Sequence, residues 1–396
     1  MLFLALGLLL GILTGIITGL IPGLHINLVS TLITSLTFST INPLAAAIYL
    51  TSLAITHTAI DFIPSIYLGA AEADTFLSVL PGHELLKEGK GYEAVSIAMF
   101  GVLMGTVAAT AATPFLITTM VKIETLTRNI IPWIILAVCI YVIAREKSPI
   151  KAAVLFTLAG FLGFITVNIP LNEPLLPLLS GLFGISGLLI SIRKKTQIPE
   201  QHTTSLRKIE LTKKDIGKAT FGAALTALPF SFLPALGSGY GSFIAAELTG
   251  QTRRGFIFLN GVMNALVMVL SISIISTLGK ARTGAAAGIK EILGENLPLQ
   301  LPSLLISAVI AALLSVLVGI LIARKAAQWL SQINYNTISL IVISLVSLMV
   351  AIVSGPIGIL VLITSTAIGI TVISSGVKRT NLMGALLVPT LMYYLA

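Results

Sequence analysis

The sequence predicts an all-α polytopic membrane protein, and three observations carry that expectation. Charged residues make up only 10% of the chain and apolar ones 56%, whereas a soluble domain carries roughly a quarter charged. Apolar stretches close to the ~20 residues a helix needs to cross a bilayer recur along the whole length. The ten-residue alternation that marks an outer-membrane barrel is absent. The chain is therefore expected in a cell membrane as a multi-pass bundle of about 10 to 14 membrane segments.

The opening, MLFLALGLLLGILTGIITGL, reads as the first of these segments. It has no basic start and no small-residue cleavage site, and the first Lys or Arg is Lys87, so a retained helix is expected rather than a signal peptide. Gly7, Gly11, Gly15 and Gly19 recur at every fourth position. Such a row lets a second backbone come close, so ordinary helix packing is preferred over a direct substrate role. The single cysteine, Cys139, rules out an intramolecular disulfide and a multi-cysteine metal site.

The most polar stretch, RKKTQIPEQHTTSLRKIELTKKDIGK at 193–218, holds much of the clustered positive charge. By the positive-inside rule it is a cytoplasmic linker between a first membrane repeat, 1–192, and a second, 219–396. It suits a connection between two bundles of similar size. The same rule accounts for its Lys and Arg without a nucleic-acid partner. The net charge of +9 permits an anionic substrate without requiring one.

Two matches suggest that the halves repeat. GLIPGLHINLVSTL resembles FLPALGSGYGSFIAAEL, with Pro22 and Pro234 standing 212 positions apart. LGAAEADT (68–75) resembles LGKARTGA (278–285) at a separation of 210. Loop charge then suggests their relation. REKSPIK (145–151) is basic and NIPLNEP (168–174) acidic, whereas the second half has an uncharged turn at 354–356 and the basic GVKRT at 376–380. The basic loop has changed ends, as expected for inverted-topology repeats with broken or re-entrant helices. An odd number of crossings per half, about five, then puts the N-terminus outside and the linker inside.

The chemistry centres on two breaks, IPGLHIN (21–27) and LPALGSGYGS (233–242). Pro22 and Pro234 each interrupt a helix. Gly23, Gly237, Gly239 and Gly241 let backbone come close to a bound group. A helix restarting after a break aims free N–H groups and a positive dipole end at it, which suits a carboxylate or phosphate. Backbone left unpaired in lipid is too costly, so each break must face protein or a wet cavity. The plainer alternative is a kinked helix whose polar groups are satisfied by neighbours. His25 is open to three roles: proton carrier, donor to an anion, or helix cap. Asn27 and Ser238 are further candidate donors to the anion.

THTAIDFIPS (56–65) sets His57 and Asp61 four apart, on one helix face. An Asp between apolar runs needs a partner, a cation or water. Coupling to Na⁺ or H⁺ competes with a structural His57–Asp61 pair. The corresponding stretch of the second half carries Asn260 and Asn264, which cannot carry a proton. In GAAEADTFLSVLPGHELLKEGKGYEA (69–94), the part from His83 reads as an interfacial cytoplasmic loop with solvated charges. Its His and Glu fit no HExxH spacing, so no metal site and no bound cofactor are expected. There is no GxxxxGK[ST], so the chain does not hydrolyse ATP through a P-loop, and no evident Ser-His-Asp or paired-carboxylate set marks an enzyme.

GLIPGLHIN, THTAIDFIPSIYLGAAEADTFLSVLPGHELLKEGKGYEA, LPALGSGYGS, KARTGAA and KRTNLMGALLVP together resemble the large membrane subunit of tripartite tricarboxylate transporters. The resemblance is nearest to the archaeal branch and covers nearly the whole chain. It implies a secondary transporter taking up citrate-like di- and tricarboxylates with an ion gradient, working beside a small membrane subunit and an extracellular binding protein. The implied site is Pro22, Gly23, His25 and Asn27 from one half and Pro234, Gly237, Ser238, Gly239 and Gly241 from the other. His25 and Asn27 depart from the bacterial pattern, which has a small residue there. Two alternatives stay open: a flippase for a phosphorylated lipid carrier, and a non-transporting scaffold. A homodimer is compatible with the sequence.

Overall fold

The computed structural model describes residues 1–21, 30, 42–69, 76–195, 199–203, 206, 209–232, 238–281, 283–330, 332 and 335–395. The regular elements among them are all helical. Eight helices among the described residues are long and apolar enough to cross a bilayer.

The first half contains α1 (Leu2–Leu20), α2 (Pro43–Ile60), α3 (Phe62–Leu68), α4 (Phe76–Lys87), α5 (Gly91–Ala144), α6 (Pro149–Asn168) and α7 (Leu175–Arg193). Asn42 starts α2 by accepting from the backbone of Leu44 and Ala45, with Pro43 in the first turn, where its missing N–H costs nothing. Asp61 keeps helical geometry between α2 and α3, so Pro43–Leu68 forms one 26-residue span. Gly69 ends it at φ 67°. A π-helical turn at Ser180–Ile185 lies inside α7.

The second half contains α8 (Lys213–Phe232), α9 (Ser238–Thr249), α10 (Arg253–Leu278), α11 (Gly284–Leu293), α12 (Leu297–Leu330), α13 (Tyr335–Ser375) and α14 (Gly384–Leu395). Thr252 caps α10 by accepting from the Gly255 N–H, and Gly279 ends it at φ 66°. Inside α13, Gly355 at φ 65° and ψ −163° breaks the helix just before Pro356.

Glycines bring the helices together. The α1 row faces α2: a Cβ on Gly15 would lie 2.8 Å from the Leu53 carbonyl oxygen, and one on Gly19 would meet Ile60 and the His57 carbonyl. Because Gly7 sits by Ala45 and Gly19 by His57, α1 and α2 run parallel. The glycine stripe is therefore a packing seam. Gly101 and Gly105 of α5 meet Gly261 and Val262 of α10 in the same way. Arg254 pairs with Glu93 at one end of that contact, and Thr113 meets the Ser273 hydroxyl at 3.0 Å further along, so α5 and α10 start out parallel. Tyr67, at the end of α3, lies against Gly91, where α5 begins. Hence α5 starts back antiparallel to Pro43–Leu68, and α10 is antiparallel to that span too.

Three sequence expectations are corrected. The two halves do not form separate bundles. One hydrophobic core joins Leu53 and Met99 to Val262 and Leu304, and the second joins Phe156 and Leu182 to Tyr240 and Leu386. The seams that build them, such as Gly101 on Gly261 and Gly163 on Ala385, cross between halves. Second, the stretch from His83 is helical rather than a loop, with Glu84, Lys87 and Glu88 exposed as expected. It belongs to α4, where Gly82 is pressed on Ile66, and Leu85 and Leu86 are fully buried. Third, part of the linker is docked. Gln201 is buried, accepts from the Gly91 N–H at 2.9 Å and donates to the Leu86 carbonyl, while His202 N–H donates to Gly89. The last residues expected in the linker, from Lys213, already belong to α8.

Candidate functional site

The second break lies between α8 and α9, which form a helical hairpin. Thr226 of α8 donates to the Gly241 carbonyl of α9 at 3.2 Å, and Gly222 packs on Ala245 and Thr249. At the base, Lys218 donates to the Gly250 carbonyl and Thr252 donates to Asp215. The chain thus enters and returns at one level. α9 has 12 residues, or about 18 Å of rise, too short for a bilayer core of ~30 Å. Pro234 and Gly237 lie outside the described residues.

Ser238 opens α9 and is 1% exposed. Its Oγ donates to Oδ1 of Asn264, itself buried on α10. The pair pins the start of α9, with that helix's first N–H groups and positive end, to the middle of the most deeply buried span. Gly239 is buried. Gly241 makes room for the Met263 methyl group and the Phe230 ring, a packing reason for the absent side chain. Asn260, one turn before Asn264, is fully buried.

A second buried polar cluster lies where α1 meets α2. Pro22, Gly23, His25 and Asn27 lie outside the described residues. α1 ends at Leu20 and Ile21 turns extended, at φ −97° and ψ 106°. One turn before that end, Thr18 Oγ1 meets His57 Nδ1 at 3.1 Å. Both are buried. Asp61, 4% exposed, donates its N–H to the His57 carbonyl at 2.9 Å and accepts from the Ser65 hydroxyl at 3.3 Å. His57 and Asp61 therefore share one helix edge, as their spacing suggests. Thr18 and Ser65 were not singled out from sequence; Thr18 carries the signal of a hydroxyl within the glycine seam.

Depth unites the two clusters. His57 lies 14 residues into Pro43–Leu68 and Asn264 lies 11 residues into Arg253–Leu278, about 21 and 16 Å along their helices. The spans are equally long and run oppositely, so both polar residues fall near mid-depth. Buried polar groups at that level are expensive and are a feature of substrate and ion pathways. No group of three metal-ligating side chains occurs among the described residues.

A short helical hairpin and buried polar groups at mid-depth, inside a many-span bundle, fit the class of integral membrane transport proteins. The tripartite tricarboxylate transporter TctA family model matches residues 5–384, and the chain belongs to that family. An uncharacterized protein of Methanocaldococcus jannaschii is 30% identical over 358 residues, covering 88% of each chain. No solved structure matches.

Proposed function

We propose that the chain is an ion-gradient-coupled secondary transporter of small organic anions, with di- and tricarboxylates as the substrate class. The observation that carries this reading is the Ser238–Asn264 contact at the start of α9, near mid-depth. A carboxylate there would meet free helix N–H groups, the Ser238 hydroxyl and the Asn264 amide. Pro22, Gly23, His25 and Asn27, with Pro234, Gly237, Gly239 and Gly241, would complete the site from the two tips. His57 and Asp61 would couple transport to H⁺ or Na⁺, while Asn260 and Asn264 hold the opposite side without titrating.

The halves 1–192 and 219–396 are read as inverted repeats. Support comes from equal 26-residue spans ending at Gly69 and Gly279, both left-handed, and from the opposite directions of those spans. The eight candidate spans, with Pro132–Ala144, the second arm of α13 and the α8–α9 hairpin, support the reading of 10 to 14 membrane segments. Lys87, Arg145, Lys194, Arg254 and Arg379 gather with the linker at one end, which by the positive-inside rule is cytoplasmic. Because each core mixes both halves, access would alternate by motion of one interleaved body against the other. The family points to a small membrane subunit and an extracellular binding protein as partners.

The test is uptake of labelled citrate, succinate and related anions into proteoliposomes, with and without Na⁺ and pH gradients, and with and without those partners. Gradient-driven uptake of at least one carboxylate is expected, with loss of the gradient dependence in Asp61→Asn. Absence of carboxylate uptake under every condition overturns the substrate class. Unchanged gradient-driven uptake in Asp61→Asn removes that residue from coupling.

A further inference from the structure

A second cationic cluster stands apart from the central site. Arg379 opens a short 3₁₀ turn, Arg379–Met383, between α13 and α14. Its guanidinium lies against α7, where Nη2 donates to the Phe183 carbonyl and the group sits 5.9 Å over the Phe183 ring. Phe183 belongs to the π-helical turn Ser180–Ile185, where the helical bonding register shifts. Such turns inside α-helices recur at functional sites. Gly187, one turn on, faces the guanidinium: a Cβ there would lie 3.5 Å from both Nη atoms, in ordinary contact, so a larger side chain would reach over the group.

Arg379 has no carboxylate within ion-pair distance among the described residues, and its buried Nε has no hydrogen-bond partner. Burial pushes its pKa down to about 10, which still leaves it charged at neutral pH. Glu146, on the adjoining loop, accepts at Oε1 from the Asn381 amide at 2.9 Å and from the Lys378 N–H. More positive charge surrounds Arg379. Burial lowers the Lys87 pKa first, then the charge of Lys194; Glu84 raises it, and Arg379 lowers it further. His83 is lowered to about 4 by burial and then by Lys87, so it is neutral. The Arg379 side chain is half-buried with its Nε enclosed, and a partly desolvated cation without a carboxylate partner is stabilised when an anion joins it.

Helix geometry sets this cluster on the basic side of the Asp61 level. α4, which carries His83 and Lys87, packs Gly82 on Ile66. Ile66 is five residues beyond Asp61, about 7 Å further toward the basic end. The π-turn packs against both α4 and the Arg379 turn.

We propose that Arg379, with Lys87 and the π-turn of α7, forms a second oxyanion site on the cytoplasmic side, taking a carboxylate or phosphate group. It is separate from the central site and needs no transport to be detected. The probes are citrate, succinate and inorganic phosphate, added to the full chain in nanodiscs of neutral lipid. A parallel series replaces soluble anion with increasing phosphatidylglycerol. The readout is thermal stabilisation and titrated affinity. Loss of the charged hydrogen bonds in Arg379→Gln is expected to weaken binding by about ten- to hundredfold. Arg379→Lys should recover part of it, and Gly187→Leu should block the site with the charge kept. Ser238→Ala should leave this component in place.

Arg379-dependent stabilisation by soluble anions in neutral lipid assigns the site to a solute. Arg379-dependent stabilisation only with phosphatidylglycerol assigns it to a lipid headgroup; both results support an oxyanion site. Equal responses of wild type, Arg379→Gln and Gly187→Leu in both series overturn it. If Arg379→Gln does not fold, Arg379→Lys and Gly187→Leu carry the same comparison.

Discussion

Replacing Ser238 and Asn264 by Ala, singly and together, isolates the one polar contact that ties α9 to α10. Both side chains are almost fully buried, at 1% and 4% exposure. In water-soluble cores, stranding a buried partner costs about 1–3 kcal/mol. Within a membrane the unfolded reference also finds partners, so pair couplings average about 0.6 kcal/mol and reach about 1.7. Ser238 and Asn264 have little solvent to fall back on, which favours the upper part of that range. The expected coupling is about 1–1.7 kcal/mol, a factor of roughly 5 to 17 in the unfolding equilibrium. Four proteins, wild type, the two singles and the double, would be unfolded by denaturant in bicelles, and carboxylate uptake measured in parallel. Single variants that add without coupling would refute the idea that this pair holds the hairpin. Uptake indistinguishable from wild type in the double variant would refute its part in the site.

Further outcomes follow from the same contacts. Gly261→Leu should lower the melting temperature, because its side chain would push into the Ala98 backbone and overpacking costs about 1–3 kcal/mol; an unchanged melt would contradict the close approach of α5 and α10. Arg254→Gln strands Glu93, whose side chain is 8% exposed, and should cost about 3 kcal/mol in chemical unfolding. A loss under 1 kcal/mol, by ~25 °C denaturant titration, would mean that Glu93 finds another partner. The Arg253 hydrogen bond at 2.7 Å holds the Glu88 carboxyl below the usual carboxylate range. A depressed folded pKa gives stability that is present above the unfolded value and lost as pH falls through the folded one. Wild type should therefore exceed Glu88→Gln by less than about 1 kcal/mol at neutral pH, with the gap closing below about pH 4. A gap that widens in acid would reverse that assignment.

The spans were legible because apolar length is a direct physical requirement of the bilayer. The start of α9 falls at Ser238, inside the Gly-rich LPALGSGYGS stretch, while Pro234 lies outside the described residues. α4 was harder. Pro81–Gly82 is a loop signal, but Gly82 serves contact with Ile66 and the buried Leu85 and Leu86 hold the helix in the core. The pairing of Gly101 with Gly261 joins residues 160 positions apart, and nothing local announces such a partner. Arg379 looked like one more basic loop residue. Only the π-turn beside it, set by helix packing, makes its charge costly.

The interleaving of the two halves has a consequence for how the chain can be assembled. Gly163 of α6 rests on α14, and Gly181 of α7 rests on Ser365 of α13, so each half grips the other's closing helices like clasped hands. Severed between 203 and 206, the two fragments would each leave a seam of glycines facing lipid. Neither fragment alone would hold its shape, whereas the two made together would find each other. In the cell, the early helices must wait for the late ones before the grip can close.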